Sequence, residues 1–516
     1  MKPALAIIIL FIGLGFPSHF VAAESPTKPR NVILIVGDGM GPQQLGLSKL
    51  FAQYTSHKEF KNSAVSNFLS QSELGLMQSI PHDALVNDSA AAITEIASGM
   101  EVLSETLGID DHGRAVTSLL ELARANRKVA GLVSDTRITH ATPAGFVGKV
   151  TDRNNENEIA TQLIKRGPEI MFSGGLRHFL PKSSSFDEAF KASSKRSDDT
   201  DLLKLAREKG YQIIFDRSGL KGLKQGKALG LFAESGMQDG IAESQALSES
   251  TGQPSLAELS QSAIKLLSGS KQGFFLMIEA GQIDWACHQN DAGTLLHEML
   301  RLERVLKTVQ DFVKGRDDTL VILTADHETG GFGFSYSGAN IPEPKPFPGL
   351  KDGSLYAPQY NFGDTTTLDR LYDQKISFNK LFYQFSERPK EERNAKSLVE
   401  FVNANSSFQI TLNDADGILE TEKNPFYRPN HETLSKQVWP VIFDFSAFYP
   451  DFKSRQSALL ARALAEQQSV VWASGTHTST PVIVAAYGRA EWTVKFKGFY
   501  TAVELGQRLK AIVGGN

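Results

Sequence analysis

Four widely separated segments of this chain gather most of the side chains that could do chemistry. Asn31–Gly41 is an apolar run that ends on Gly37-Asp38-Gly39, and Asn87-Asp88-Ser89 precedes a run of alanines. Glu279–His288 supplies Glu279, Asp284 and His288, and Thr324–Gly330 carries the adjacent pair Asp326-His327. A late Gly475-Thr476-His477-Thr478 adds a third imidazole. Gathered in one place, the four carboxylates would repel one another unless cations neutralised them. Carboxylate and imidazole are suitable zinc ligands. With Ser89 beside them, they make up most of a multi-metal phosphoryl-transfer centre.

Taken singly, each residue has a plainer reading. Ser89 starts the helical pattern Ser89–Ser98, where a serine is most often a cap, though the same helix end also favours anions such as phosphate. Its hydroxyl needs a base or a metal to become a nucleophile, and no Gly-x-Ser-x-Gly elbow is present. Glu279, Asp284 and His288 read alone as strand-end polarity and a turn, and Asp326-His327 and His477 as loop residues. The combination carries the argument. His57, His82, His112, His178 and His431 read as surface or structural, His297 as a helix residue, and Cys287 as a small buried filler. Asn413–Gly417 matches a calcium loop only in part and reads as a turn.

These residues must be positioned by buried elements. Short apolar runs at Asn31–Val36, Val129–Val133, Phe274–Ile278, Leu320–Thr324 and Pro481–Ala486 read as strands. The helical patterns Ser89–Ser98, Val116–Asn126, Leu256–Leu267 and Ala292–Val313 alternate with them. The fold expected is α/β, a three-layer sandwich with a large, mostly parallel central sheet and helices on both faces. In such folds ligands sit beyond the carboxyl ends of the strands. Asp38, Glu279 and Asp326 all fall there.

The catalytic domain is expected at 24–334 and 469–516, interrupted by an inserted crown-like or lid-like subdomain at 335–468. That insertion opens on the proline-rich Ile341–Pro348 and is too long to be a simple connection. Lys182–Asp201, rich in Ser, Lys and Asp, reads as an exposed loop. Residues 1–23 read as a secretory signal, with Lys2, a short apolar run and Val21-Ala22-Ala23, so the mature protein is expected to be periplasmic or secreted. No lipid-anchor cysteine follows that signal and no hydrophobic tail closes the C-terminus, so no membrane attachment is expected after cleavage.

Of 516 residues, 41% are hydrophobic and 22% charged, so a sizeable core is available. The formal charge of −4 gives no reason to expect nucleic acid as a specific partner. A single cysteine rules out an intramolecular disulfide, so core packing and bound metal must supply the stability.

The runs Val36-Gly37-Asp38-Gly39-Met40-Gly41, Asp88-Ser89-Ala90-Ala91, Thr139-His140-Ala141-Thr142-Pro143-Ala144, Thr324–Gly331 and Ser474–Thr478 closely resemble, in order, the motifs of the alkaline phosphatase family. The motifs cover residues 30–333 and 470–500; the insertion and the 182–201 loop fall outside them. The resemblance implies that Ser89 is a nucleophile forming a covalent phosphoserine. It implies that Asp284, His288 and His477 hold one zinc and that Asp38, Asp326 and His327 hold a second. Asp38, Glu279 and Thr142 would hold a third cation, usually magnesium. Arg153 matches the guanidinium that grips two phosphate oxygens, a geometry suited to arginine, with Arg137 as its rival. His140 and Trp285 stand where the best-known members have Asp and Lys, and resemble another bacterial subgroup. His140 is a third-site ligand or a group that bonds water or phosphate; as the softer ligand it lets zinc or cobalt compete with magnesium. Trp285 is a packing residue or wall of the substrate pocket.

The implied activity is hydrolysis of small phosphate monoesters at alkaline pH, with broad substrate range and net retention at phosphorus. Many family members are dimers, so a homodimer is one expected assembly. A related phosphodiesterase or phosphomutase would lack the Asp88–Ala91 run with its downstream arginine. A sulfatase would need a Cys- or Ser-x-Pro-x-Arg segment, which is absent. A metal- or phosphate-binding protein without turnover would have lost one of these residues.

Overall fold

Asn31–Gly37 is apolar throughout and every residue is buried, the pattern of a strand covered on both faces. The structure, a computed structural model, describes residues 28–247 and 252–514; the signal assigned to residues 1–23 lies outside the described residues. Ten strands form one sheet: β1 (Asn31–Gly37), β2 (Glu73–Gln78), β3 (Val129–Arg137), β4 (Ile170–Gly174), β5 (Tyr211–Ile214), β6 (Lys227–Leu231), β7 (Phe274–Ala280), β8 (Thr319–Thr324), β9 (Val482–Tyr487) and β10 (Gly498–Thr501). Their order across the sheet is β10-β2-β9-β8-β1-β7-β3-β4-β6-β5. All neighbours are parallel except β9, which runs antiparallel to both β8 and β2.

The register aligns the strand ends. Val36 lies opposite Thr324 on one side and Glu279 on the other, and Ser134 lies opposite Glu279. Asp38, Glu279 and Asp326 therefore leave the same edge of the sheet. Ser89–Ser98, Leu119–Ala125 and Ala502–Val513 pack as one helical layer, and Pro42–Tyr54, Leu256–Leu267 and Ala292–Val313 as the other. Three helices keep the bounds read from the sequence because their caps are local. Asp88 caps the first, Ser255 and Glu258 form a capping box on the second, and Asp291 caps the third. The Val116–Asn126 pattern shortens to Leu119–Ala125, since Ser118 and Glu121 form the box that starts it.

Residues 335–468 leave and return at one place, where Gly333–Phe334 pairs antiparallel with Val470–Val471. The regular structure of the segment is mostly helical, with its longest helix at Phe452–Gln468. Its buried Leu371, Phe378, Leu381 and Leu398 join the same continuous core as the sheet strands. Two loop readings are corrected. Within 182–201, Ser185–Asp187 and Lys191–Ser193 form a hairpin, because Phe186 and Ala192 both turn inward to the core. Residues 413–417 lie in the helix Leu412–Leu419, where the Thr411–Asp414 capping box and buried Ala415 and Ile418 override the local turn preference.

Candidate active site

Ser89 is the first residue of its helix, and Asp88 does the capping, its carboxylate accepting from the Ala90 N–H at 2.8 Å. The serine hydroxyl is thus left free of a structural role as a cap. It lies buried, 3.2 Å from Nε2 of His327. His327 Nε2 is in turn 3.5 Å from Asp38 Oδ1 and 3.3 Å from Asp326 Oδ2. Asp326 is fixed from its other oxygen, which accepts from the backbone N–H groups of Gly39 and His327. Gly39 has φ +70, and a Cβ there would stand 2.9 Å from the Asp284 Cα, so only glycine fits between these carboxylates.

Asp284 and His288 face the same space from the helix Gln282–His288, at i and i+4. His288 Nδ1 is bonded to the Gly475 carbonyl at 2.7 Å, and His477 Nδ1 to the Asn87 carbonyl at 2.8 Å. Each ring is thereby oriented with Nε2 toward the site. The two Nε2 atoms are 3.1 Å apart, and Asp284 lies 3.3 Å from the first and 3.6 Å from the second. On the far side of Asp38, Glu279 accepts from Ser134 and, at 3.0 Å, from Thr136. Thr142 Oγ1 is 3.5 Å from Asp38 Oδ2, and His140 Nδ1 is 4.0 Å from Glu279 Oε1.

Three groups of potential metal-ligand atoms result, each lying within 4.8 Å of one another: Asp284, His288 and His477; Asp38, Asp326 and His327; and Asp38, Glu279 and His140. Asp38 is shared by the last two. Asp38 Oδ1, Glu279 Oε1, Asp326 Oδ2 and His140 Nδ1 are buried and lack any hydrogen-bond partner. Buried polar atoms are normally satisfied, and four orphans aimed into one region fit bound cations. A fourth group, His82, Glu101 and Asp111, lies largely at the surface, where His82 and Glu101 pair directly at 3.0 Å.

The electrostatics agree. Burial, then repulsion from Asp326, Asp284 and Glu279, pushes the Asp38 carboxyl well above its ordinary range. Burial pushes Glu279 up to about 8 and, with the Asp284 charge, Asp326 to about 6. Burial opposes the charge on Asp284 as well, but His288, His477 and His327 hold its carboxyl well below the usual range. Burial lowers His327 to about 4 and His477 to about 3, leaving both rings neutral, the form that can bind a metal. His288 is raised to about 9, since Asp284 overcomes its burial.

Arg153 places Nη1 3.2 Å from Asp88 and Nη2 3.4 Å from His140 Nε2, beside the Ser89 helix start. Arg137 pairs instead with Glu156 at 2.8 Å. Trp285 stands edge-on to His140 at 5.8 Å between ring centres and packs against Gly236. Cys287 is buried, 3.7 Å from the Gln44 amide, and its thiol is pushed well up by burial, as a filler requires.

Residues not singled out from the sequence complete the shell. Ser134 and Thr136 hold Glu279, and Thr329 donates to Asp284 at 2.5 Å. Fully buried Arg301 pairs with Asp135, Glu298 and Glu243 at 2.8, 2.8 and 3.0 Å, and Asp135 accepts from the Gly281 N–H that follows Glu279. The position of Ser134-Asp135-Thr136 at the end of β3 was their only sequence signal. Asn87 is fixed by its amide, which donates to Glu95 and to Ser79 at 3.1 Å. Burial pushes Glu95 up to about 9. A carboxyl so raised contributes stability that is complete below its unfolded pKa and is lost as pH rises through 9. Glu95→Gln keeps the bond to Asn87 and should flatten the loss of stability between about pH 5 and 9. Thermal melts across that range check this; an unchanged slope would contradict it.

A family model described as alkaline phosphatase matches residues 29–407, running through 182–201 and into the long helical segment, beyond the reach of the motifs alone. Alkaline phosphatase 4 of Bacillus subtilis is 31% identical over 353 residues, which are 66% of this chain and 71% of that protein. The repressible alkaline phosphatase of Saccharomyces cerevisiae is 31% identical over 348 residues, 63% of this chain and 60% of that protein. The crystal structure of Thermus thermophilus alkaline phosphatase superposes with a TM-score of 0.76 at 25% identity, covering 94% of this chain and 91% of that one. The cold-active enzyme of Shewanella sp., at 23% identity, shares the fold with a TM-score of 0.69 over 94% of this chain and all of that one.

Proposed function

This chain belongs to the alkaline phosphatase family and hydrolyses phosphate monoesters, and we propose that it does so at alkaline pH through a covalent phosphoserine on Ser89. The observation that carries this reading is the free, buried Ser89 hydroxyl at a helix start, 3.2 Å from a histidine of one ligand group and beside Arg153. Asp284, His288 and His477 would hold one zinc, and Asp38, Asp326 and His327 a second. Asp38, Glu279 and Thr142, with His140, would hold magnesium, or zinc or cobalt in its place. When bound, such cations stabilise the attacking and leaving oxygens of an in-line displacement.

The chain's own residues supply the rest. The helix start favours the phosphate dianion. Arg153 grips two of its oxygens and fixes phosphorus in line with Ser89 Oγ. Attack releases the Ser89 hydroxyl proton to solvent and forms the Oγ–P bond as the ester P–O bond breaks, and the departing alcohol oxygen takes a proton from solvent. Water then forms a new P–O bond, the Oγ–P bond breaks, and Ser89 regains its proton. Two inversions give net retention.

p-Nitrophenyl phosphate compared with its bis ester tests the class, and acid quenching with mass spectrometry of the Ser89 peptide tests the intermediate. Preference for the diester would move the reading to a phosphodiesterase; an unmodified Ser89 under saturating substrate would remove the phosphoserine. Arg153→Ala should raise KM, and weaken inhibition by inorganic phosphate, on the order of tenfold to a hundredfold, as loss of charge-assisted hydrogen bonds requires. Arg153→Lys should recover only part of this. Unchanged phosphate inhibition in the alanine variant would contradict the assigned role.

The same reading extends to the setting. Residues 1–23 act as an export signal, and the protein works in the periplasm or outside the cell. Among the described residues, no helix is long and apolar enough to cross a membrane. Residues 335–468 form an inserted subdomain, a reading supported by the paired strands at its two ends.

A further inference from the structure

An apolar cleft of about 680 Å³ is lined by His288 and His477 of one ligand group together with Val86, Phe445 and Phe448. Val86 lies three residues before Ser89, so the cleft adjoins the nucleophile's own segment. Phe445 is 66% exposed, Phe448 54% and Val86 42%, although water-exposed aromatic side chains gain nothing by themselves. Phe445 also sits at φ 52, ψ 27, a left-handed conformation that a bulky residue adopts only when its surroundings enforce it.

Those surroundings are specific. Arg455 is fully buried, and its guanidinium is spent on this loop, donating to the carbonyls of Tyr449, Pro440 and Ser446 at 2.8, 3.1 and 2.7 Å. Arg462 pairs with Asp444 on the same loop. The loop is then bolted to a ligand segment. Gly475 donates its N–H to the Phe448 carbonyl at 3.1 Å, while its own carbonyl receives His288 Nδ1 at 2.7 Å. A Cβ at Gly475 would meet the Tyr449 ring at 2.7 Å, so this close seating needs glycine. The position of two exposed aromatics is thus tied directly to a residue of the first ligand group.

We infer that this cleft is the leaving-group subsite, and that Phe445 and Phe448 favour phosphate monoesters of apolar alcohols, alkyl or aryl, over those of polar ones. The inference rests on the phosphomonoesterase reading above. The ester oxygen departs in line with and opposite Ser89 Oγ, and His288 and His477 line the cleft, so an alcohol leaving past them would lay its carbon chain against Phe445 and Phe448. Burial of apolar surface is worth about 0.8 kcal/mol per methylene, so a six-carbon chain half covered by the cleft gains more than tenfold. A second, more polar cavity of about 700 Å³ lies across His288, lined by Trp285, Lys380 and Lys453 among others, and a polar leaving group would be drawn there instead.

The test compares kcat/KM for n-hexyl phosphate and glycerol 1-phosphate, whose leaving groups differ in polarity far more than in reactivity. Wild type should favour the hexyl ester about tenfold or more. The Phe445→Ser/Phe448→Ser double variant should collapse that ratio toward one, mainly through KM. Phe499→Ser, an exposed phenylalanine on the β10 edge strand, should leave the ratio alone. A ratio unchanged in the double variant overturns the subsite. So does an unchanged ratio accompanied by a fall in molecular mass by light scattering, which would make the two rings a self-association surface. Absence of turnover with either ester in wild type would instead bring down the phosphomonoesterase reading itself.

Discussion

Ser89→Ala should lower kcat for p-nitrophenyl phosphate by at least about a thousandfold, the scale seen when a covalent nucleophile is removed. Stability should barely change. The cap of this helix is Asp88, and the Ser89 hydroxyl contributes one 3.2 Å contact to His327, so its deletion leaves the packing of the fully buried helix Ser89–Ser98 intact. Phosphate binding should also survive, because Arg153 and the helix start remain. The expected signature is therefore lost turnover with a wild-type melting temperature and nearly wild-type inhibition by phosphate. Residual activity within tenfold of wild type would mean that water attacks the ester directly and that no phosphoserine lies on the path.

Chelation should abolish turnover and destabilise the protein, and the second effect should depend on pH with a definite sign. Without cations, burial and mutual repulsion hold the carboxyls of Asp38, Glu279 and Asp326 above their ordinary range, at about 8 for Glu279 and about 6 for Asp326. Each such group contributes stability that is complete below about pH 4 and is lost as pH rises through the folded value. Asp284, held low by its histidines, acts the other way and weakens the protein only in acid. The chelated protein should therefore melt lower at about pH 9 than at about pH 6, and added divalent metal should remove most of that difference. Melts with chelator, then with zinc, magnesium or cobalt restored, check both parts. Identical melts at the two pH values in chelator would show that the carboxylates are neutralised by something other than metal.

A buried charge network braces the backbone beside Glu279. Arg301 neutralises part of the buried cluster Asp135, Glu243 and Glu298, and Asp135 in turn fixes the backbone just after Glu279. Losing one partner of such a network would leave buried charge uncompensated around the fully buried Arg301.

Much of this was legible in the chain itself. Short continuous apolar runs such as Asn31–Val36, bounded by glycine, read as buried strands, and their ends carry Asp38, Glu279 and Asp326, so that reading placed three carboxylates on one edge. Helices with local caps, Ser255 with Glu258 or Asp291, kept the bounds read for them, because a cap is a short-range interaction. Where tertiary contacts compete with local preference, the sequence misled: Asn413–Gly417 is helical because Ala415 and Ile418 are buried, and the 182–201 loop folds into a hairpin around Phe186. The partners of the two candidate arginines, Glu156 for Arg137 and Asp88 for Arg153, are contacts between side chains 19 and 65 residues apart. The orphaned oxygens, the Arg301 network and the aromatic cleft likewise exist only after distant segments meet. Residue type and strand-end position determined the chemistry available to this protein; long-range packing decided which groups face one another, because distance and desolvation are properties of the folded chain alone.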